Sequence, residues 1–169
     1  SWSTRAEADR LRHLLALGRD RHLLEVGAGA GWPGLYLAKT SQCEVTLTDL
    51  HPGSLHIASG RVARDWVEGE SGMHHFAVAE GGALPFATGT FDAIVHSDVL
   101  CCLEAKQAVL ESCRRVIRAE GRMIFSVIFV ARGLHGADHR RAVEFAPPHA
   151  DIAEDYGALL QRTGWRIIA

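Results

Sequence analysis

No run of apolar residues in this sequence approaches the ~20 residues that a transmembrane helix needs. The four cysteines include no C-x-x-C pair, so their spacing suggests neither a zinc site nor a disulfide framework. A formal net charge of -2 provides no overall basic field to attract nucleic acid or an anionic membrane. We therefore expect a cytoplasmic protein with reduced thiols, no bound metal, and neither nucleic acid nor membrane as a partner.

The sequence does contain enough apolar residues for one folded domain. Of its 169 residues, 47% are hydrophobic and 22% are charged, as in ordinary globular proteins. Apolar strand patterns alternate with amphipathic helix patterns, which is typical of a parallel sheet covered by helices on both faces. We predict an α/β fold with a doubly wound, mostly parallel sheet, in a single domain over residues 1–169.

The predicted elements follow from apolar periodicity and from glycine and proline positions. Strands are predicted over residues 23–26, 44–50, 74–78, 91–96, 122–130 and 165–169. Helices are predicted over residues 4–17, within the N-terminal segment 1–20, and over residues 52–66, 104–118 and 151–163. Residues 132–150 are predicted to be irregular.

The strongest functional signal lies in residues 23–34. An apolar strand pattern ends at Val26, glycines follow at alternate positions from Gly27 to Gly31, and a helix pattern begins near Leu35. Glycine tolerates positive φ and lets a ligand approach the backbone, and the N-terminus of a helix presents unpaired N–H groups. This turn is therefore expected to hold a polar ligand above the end of a strand, beside Asp49 at the end of the next strand.

The turn alone leaves two ligands open. Gly29 to Gly34 fits the G-x-G-x-x-G pattern of dinucleotide-binding proteins, and Asp49 lies about 20 residues downstream, where a ribose contact is expected. However, the first glycine after the strand is Gly27, and counting from there the third position of the pattern is Trp32. An NAD(P)-dependent oxidoreductase therefore remains one interpretation.

Four stretches in order favour the other ligand. Residues 25–31 read Glu-Val-Gly-Ala-Gly-Ala-Gly, and residues 45–50 form a strand pattern that ends in an acid. Residues 80–95 contain an acid, Leu-Pro-Phe and then Phe-Asp before a strand, and residues 115–123 form a helix-to-strand turn with Ala-Glu where Pro-Gly is usual. Together, over roughly residues 20 to 130, they resemble the class I S-adenosylmethionine (SAM)-dependent methyltransferases, in the small-molecule branch.

The resemblance implies that SAM binds over the strand ends. Gly27 and Gly29 would let the backbone approach its methionine part, Asp49 would accept hydrogen bonds from the ribose hydroxyls, and Leu50 would pack against the adenine. Glu80 would accept from the adenine amino group. The residues that the resemblance assigns to the cofactor are Glu25, Gly27, Ala28, Gly29, Asp49, Leu50, Glu80, Gly81, His96 and Ser97.

The reaction implied is methyl transfer from SAM to a small-molecule acceptor by in-line displacement, with S-adenosylhomocysteine as the product. His96, Asp98 and His139 are the candidates for a catalytic base, and residues 132–150 for the loop that shapes the acceptor site. The run His-Ser-Asp-Val at residues 96–99 replaces the Asn/Asp-Pro-Pro-Tyr/Phe run of enzymes that methylate DNA bases or protein glutamine. A non-catalytic module that binds SAM or a nucleotide remains the alternative.

Three further features have alternative interpretations. Adjacent Cys101 and Cys102 suggest redox or arsenic chemistry, but a buried free cysteine commonly behaves as a small hydrophobe, so we interpret them as packing residues. His135 and His139 have the i, i+4 spacing of metal ligands on a helix, but Gly133 and Gly136 disfavour a helix there. The resemblance also implies a seventh strand, antiparallel and beside the fifth.

Overall fold

The structure is a computed structural model that describes residues 3–66, 73–150 and 154–168. Its strands are β1 (His22–Val26), β2 (Glu44–Asp49), β3 (His74–Val78), β4 (Phe91–Ser97) and β5 (Ile117–Ser126). Its helices are α1 (Arg5–Leu14), α2 (Gly34–Ser41), α3 (Pro52–Asp65), α4 (Lys106–Val116), α5 (Gly136–Phe145) and α6 (Tyr156–Arg162). No helix among these residues is long and apolar enough to cross a membrane.

The five strands form one parallel sheet in the order β3-β2-β1-β4-β5. Apolar residues of α1, α2 and α3 pack on one face of the sheet. Residues of α4 and α6 pack on the other face. Two apolar clusters on opposite faces explain why the central strands β1 and β4 are almost continuously buried, as expected for a doubly wound sheet.

The strand order reverses direction between β1 and β4. The chain runs from β1 outward through β2 to β3, and then returns to place β4 and β5 on the other side of β1. In open parallel sheets, ligands bind in the crevice outside the carboxyl ends of the strands at such a reversal. The ends of β1 and β4, at Val26 and Ser97, therefore mark the expected site.

The predicted parallel α/β fold is confirmed, and the first four strands agree with their predicted bounds to within one residue. The fifth strand is wrong by several residues, because it begins at Ile117 rather than at residue 122. The predicted bounds place Gly121 just before the strand. In the structure it lies inside β5, next to an irregularity in the pairing with β4. A Cβ at this position would lie 2.9 Å from the carbonyl oxygen of Asp92, so a glycine is needed for the close approach.

The predicted sixth strand is wrong for residues 165–168, which pair with no strand in the described part of the chain, while Ala169 lies outside it. Trp165 instead packs on α4, where its indole N–H donates to the carbonyl oxygen of Leu110 at 3.1 Å. Its ring also lies 5.7 Å from the Arg114 guanidinium. Five strands, rather than the predicted six to seven, are therefore present among the described residues.

Residues 132–150 are predicted to be irregular, but the prediction is wrong there, because they contain the helix α5 (Gly136–Phe145). The glycines that argued against it lie at its start, where Gly133 has φ +86° and Gly136, the first helical residue, has φ +57°. Neither interrupts the interior of the helix, so the low helix propensity of glycine has little effect there. The last predicted helix begins at Tyr156 in the structure, and residues 151–153 of the prediction lie outside the described chain.

Candidate functional site

The turn after β1 contains three glycines with positive φ, and the first two of them border the ends of the strands. Gly27 has φ +66° and Gly29 has φ +53°, a region that residues with a side chain rarely adopt. A Cβ on Gly27 would lie only 2.5 Å from Cγ2 of Val99, which follows β4. A Cβ on Gly29 would meet nothing within 4 Å. The first glycine thus joins the ends of β1 and β4, and the second borders open space.

Asp49 holds this turn from the end of β2. Its Oδ2 accepts a hydrogen bond from the N–H of Gly29 at 2.8 Å, and its Oδ1 accepts from the N–H of His51 at 2.9 Å. The residue that caps α3 is His51, so Asp49 does not act as the cap of that helix. A carboxylate has about four acceptor positions, so Asp49 retains capacity for a ligand. Ala28 is buried and fastens the same turn, because its N–H donates to the carbonyl oxygen of Thr48 at 2.9 Å.

An exposed apolar surface with an acid beside it follows β2 and β3. Leu50, directly after the largely buried strand β2, is 60% exposed, and Val78, the last residue of the half-buried strand β3, is 56% exposed. Glu80 is exposed and precedes a short 3-10 turn (Gly81–Ala83), to which its side chain gives no capping hydrogen bond. Gly81 packs closely on Val26, since a Cβ there would lie 3.3 Å from that side chain. These residues present an exposed apolar surface with a carboxylate beside it.

Two titratable side chains, Glu25 and His96, lie in the core beneath the crevice. Burial raises the pKa of Glu25 to about 8, although the hydrogen bond from the N–H of Gly34, at 3.1 Å, opposes the shift. Burial lowers the pKa of His96 to about 3, and neither ring nitrogen has a hydrogen-bond partner. The His96 ring instead stacks on Phe125 at 4.8 Å. Both groups are therefore uncharged at neutral pH.

These two pKa shifts predict how stability depends on pH. Raising the pKa of Glu25 from 4.5 makes the free energy of unfolding fall as the pH rises from about 4.5 to about 8. Lowering the pKa of His96 from 6.5 makes it fall as the pH drops from about 6.5 to about 3. Each slope is about 1.4 kcal/mol per pH unit, so the two cancel where they overlap. We expect urea denaturation to show a plateau between about pH 4.5 and 6.5, with lower stability on both sides.

Variants separate the two contributions. Glu25→Gln keeps an oxygen for the Gly34 N–H and should remove the decline above pH 6.5. His96→Phe keeps an aromatic ring stacked on Phe125. It should remove the decline in the free energy of unfolding below about pH 4.5, which has the same slope. Unchanged pH profiles in these variants would show that folding does not shift the pKa of either group.

Asp98, after β4, is fixed in an uncommon backbone conformation. Its φ is +60°, its N–H donates to the carbonyl oxygen of Ser126 at 3.0 Å, and its carboxylate accepts from the Ser126 hydroxyl at 3.0 Å. The ends of β4 and β5 are thereby joined at the rim of the crevice. Asp tolerates the left-handed region better than most residues, but nothing in the sequence marks this position as left-handed.

A cavity of about 1090 Å³ opens beside the ends of β4 and β5. Ser97, Asp98 and Ser126 line it at the strand ends, and it continues along the outer edge of β5 past Phe125 towards Trp165. His96 also contributes to its wall. The cavity thus adjoins the glycine turn only through the segment after β4, and most of it lies against the edge strand.

The structure brings most of the predicted site residues to one edge of the sheet. Gly27, Gly29, Asp49, Leu50, Glu80, Gly81 and Ser97 lie at or just beyond the ends of four adjacent strands. Glu25 and His96 are buried below them. His139 is half-buried on α5, which itself contains no buried residue. Among the described residues, no group of three His, Cys, Asp or Glu side chains is arranged to hold a metal.

With this geometry in place, comparison with known proteins decides the family. Residues 24–125, more than half of the chain, match the methyltransferase domain family, and the match includes the turn after β1 and the strands up to β5. The chain belongs to this family. It is thus a class I methyltransferase domain of the SAM-dependent kind, as the resemblance in sequence implied.

Individual relatives of the methyltransferase domain are distant. An O-methyltransferase of Penicillium expansum is 25% identical over 163 residues, covering 91% of this chain and 55% of that protein. A malonyl-[acyl-carrier protein] O-methyltransferase of Laribacter hongkongensis is 29% identical over 127 residues, covering 71% of this chain and 40% of that protein. The chain therefore spans about half the length of these curated relatives.

A solved structure confirms the fold at still lower identity. A SAM-dependent methyltransferase from Aquifex aeolicus superposes with a TM-score of 0.74, covering 96% of this chain and 81% of that one, at 20% identity. Likeness at this identity establishes the shared architecture. The assignment of individual residues depends on the geometry described above.

Proposed function

We propose that the chain binds SAM at the ends of β1, β2 and β4 and transfers its methyl group to a small-molecule acceptor. The observation that carries the proposal is the hydrogen bond between Asp49 and the N–H of Gly29, within a turn that leaves Gly29 open to a ligand. It supports a ligand with hydroxyls for the carboxylate and a polar chain over the glycines. The family match supports SAM as that ligand.

The residues present fit SAM. The Gly27 and Gly29 backbone would face the methionine part, with Ser97 and the His96 backbone at its amino group. Asp49 would accept from the ribose hydroxyls with its remaining lone pairs. The remaining contacts, with the adenine, are assigned to the exposed side chain of Leu50, to the Glu80 carboxylate and to the Gly81 N–H.

When bound, SAM supplies a methyl group attached to a positively charged sulfur, which makes it a good donor. The chain's own task is then to align the acceptor and exclude water. The cavity beside Ser97, Asp98 and Ser126 is the proposed acceptor side, because it adjoins the segment between the cofactor residues and β5. Residues 132–150, including α5, follow β5 but do not line this cavity. Their proposed part in shaping the acceptor site rests on their place in the chain after β5.

The three candidate bases differ in their surroundings. His96 is uncharged, but the low pKa that burial gives it makes it a weak proton acceptor. Asp98 lies at the rim of the cavity, with its carboxylate held by Ser126. His139 is half-buried on α5. For an acceptor that must lose a proton, we propose Asp98 or His139 as the base rather than His96.

The test of the cofactor is a thermal shift. At 100 times its dissociation constant, S-adenosylhomocysteine should raise the melting temperature by roughly 5–10 °C, because it binds only the folded chain. NAD at the same concentration should leave the melting temperature unchanged. A shift with NAD and none with S-adenosylhomocysteine would favour the dinucleotide interpretation and overturn the proposal.

Catalysis needs a separate measurement, because a non-catalytic binding module would give the same thermal shift. Incubation of the chain with SAM labelled in its methyl group and a pool of small metabolites should yield labelled products. The same incubation with Asp49→Ala should yield far less product. Binding without transfer to any acceptor in the pool would favour the module over the enzyme.

A further inference from the structure

Two adjacent thiols lie on the short 3-10 turn (Leu100–Cys102) that follows β4. The thiol of Cys101 donates to the carbonyl oxygen of Asp98 at 3.1 Å, and the thiol of Cys102 donates to the same oxygen at 3.3 Å. Both sulfurs therefore lie beside one carbonyl oxygen. Cys101 is buried and Cys102 is exposed, so the packing role predicted from the sequence suits only the first of them.

The backbone around the two sulfurs is held by two other segments of the chain. Asp98, whose carbonyl they share, is joined to the end of β5 through the N–H and hydroxyl contacts with Ser126. The carbonyl oxygen of Cys101 accepts from the N–H of His149 at 2.9 Å, which anchors the turn to the segment after α5. The two sulfurs are therefore held beside the same carbonyl oxygen before any ligand arrives, and ordering them on binding costs little.

We propose that Cys101 and Cys102 form a chelating site for a thiophilic trivalent ion of the arsenic(III) class. Cysteine sulfur is a soft ligand and selects soft ions. Two sulfurs on adjacent residues that contact the same oxygen can approach a shared ion from one side, which suits the pyramidal coordination of arsenic(III). A linear two-coordinate ion such as mercury(II) would require the sulfurs to lie on opposite sides of it.

The binding step balances without any oxidant or reductant. An organoarsenic oxide condenses with the two thiols: two arsenic–sulfur bonds form, the two S–H bonds and the arsenic–oxygen bond break, and both protons leave with the oxygen as water. Burial raises the pKa of the Cys102 thiol, and the neighbouring Cys101 and Asp98 raise it further. The Cys102 thiol is thus protonated at neutral pH and can supply one of the protons that leave with the oxygen.

The other two cysteines provide an internal control. Cys43 lies directly before β2, and Cys113 lies on α4. Both are fully buried, and burial raises the pKa of both thiols. Each lies in a different apolar cluster from the other, so they cannot chelate one ion together. They can bind an arsenical only singly, and such adducts exchange readily with other monothiols.

The test uses phenylarsine oxide and the reduced full chain. Intact mass spectrometry should show one phenylarsenic group per chain, which survives excess 2-mercaptoethanol and is removed by 2,3-dimercaptopropanol. Cys102→Ser changes an exposed residue and keeps a donor for the Asp98 carbonyl, so it should fold and yet lose retention of the adduct by at least about 10-fold, since chelation is gone. Cys43→Ala should retain the adduct as the unchanged chain does.

A second measurement needs no variant. After arsenical treatment, alkylation with iodoacetamide and proteolysis should leave the peptide with Cys101 and Cys102 unmodified, whereas in the untreated chain the exposed Cys102 should be alkylated. Loss of the adduct in 2-mercaptoethanol, or its full retention in Cys102→Ser, would overturn the proposal. Neither readout involves SAM, so a failure here leaves the proposed methyl transfer untouched.

Discussion

Gly27→Ala should weaken binding of S-adenosylhomocysteine by about 100-fold in isothermal titration calorimetry. Two effects act at this residue. An alanine at φ +66° is strained by about 1–2 kcal/mol. Its Cβ would also lie 2.5 Å from Cγ2 of Val99, so the segment after β4 must shift. Because that segment carries Ser97 and the proposed amino-group contacts, both sides of the proposed cofactor seat would be displaced together.

Two variants separate strain from collision. Gly29→Ala carries the same kind of strain, at φ +53°, but its Cβ meets no protein atom within 4 Å, so its loss of binding reports strain and contact with the ligand without displacement of Val99. The double variant Gly27→Ala with Val99→Ala removes the atom that collides and should recover part of the lost affinity. If the double variant binds no better than Gly27→Ala, the contact with Val99 is not the cause. Affinity equal to that of the unchanged chain in Gly27→Ala would place the ligand elsewhere.

Asp49→Ala should weaken binding of S-adenosylhomocysteine by roughly 100-fold, the size expected for hydrogen bonds to a charged acceptor. The side chain also accepts from the N–H groups of Gly29 and His51, so the unliganded melting temperature should fall as well. Asp49→Asn keeps one oxygen acceptor, so its affinity and its melting temperature should lie between those of the unchanged chain and those of Asp49→Ala. Glu120→Ala, which removes an exposed acid of β5, is the matched control and should change neither quantity.

A ligand analogue distinguishes a ribose contact from a purely structural role. The unchanged chain should bind a 2′-deoxy analogue of S-adenosylhomocysteine more weakly than the parent, whereas Asp49→Ala should bind the two about equally. This non-additivity is the signature of a direct contact. Equal additive losses in both proteins would show that Asp49 supports the turn without touching the ribose.

The positions of the first four strands and of the glycine turn were accessible from the sequence because they depend on local patterns. Apolar runs that end in glycine or in an acid mark where strands stop, and parallel strands stop at one edge of the sheet. Four sequence-distant segments could therefore be placed at one end of the sheet from the sequence alone. The family resemblance then supplied a ligand for them, which the glycine spacing alone left open.

What failed depends on contacts between distant segments. Gly121 is a break by local pattern, but its approach to Asp92 places it inside β5. Trp165 fits a strand pattern, but its indole is held by α4. The left-handed conformation of Asp98 is likewise held by contacts with β5, which the periodicity of the sequence does not show. The same is true of the exposure of Cys102, which lies just after β4.

Asp92 shows how the far end of the sheet is secured. Its carboxylate accepts from the N–H of His22 at 2.9 Å, from Arg21 at 3.1 Å and from Arg118 at 2.6 Å, so one side chain links β1, β4 and β5 where they begin. The fastening of these strands and the proposed chemistry thus occupy opposite ends of the same sheet. Loops at the carboxyl end can diverge to suit new acceptors while this anchor keeps the scaffold in register, a division of labour that lets specificity evolve separately from folding.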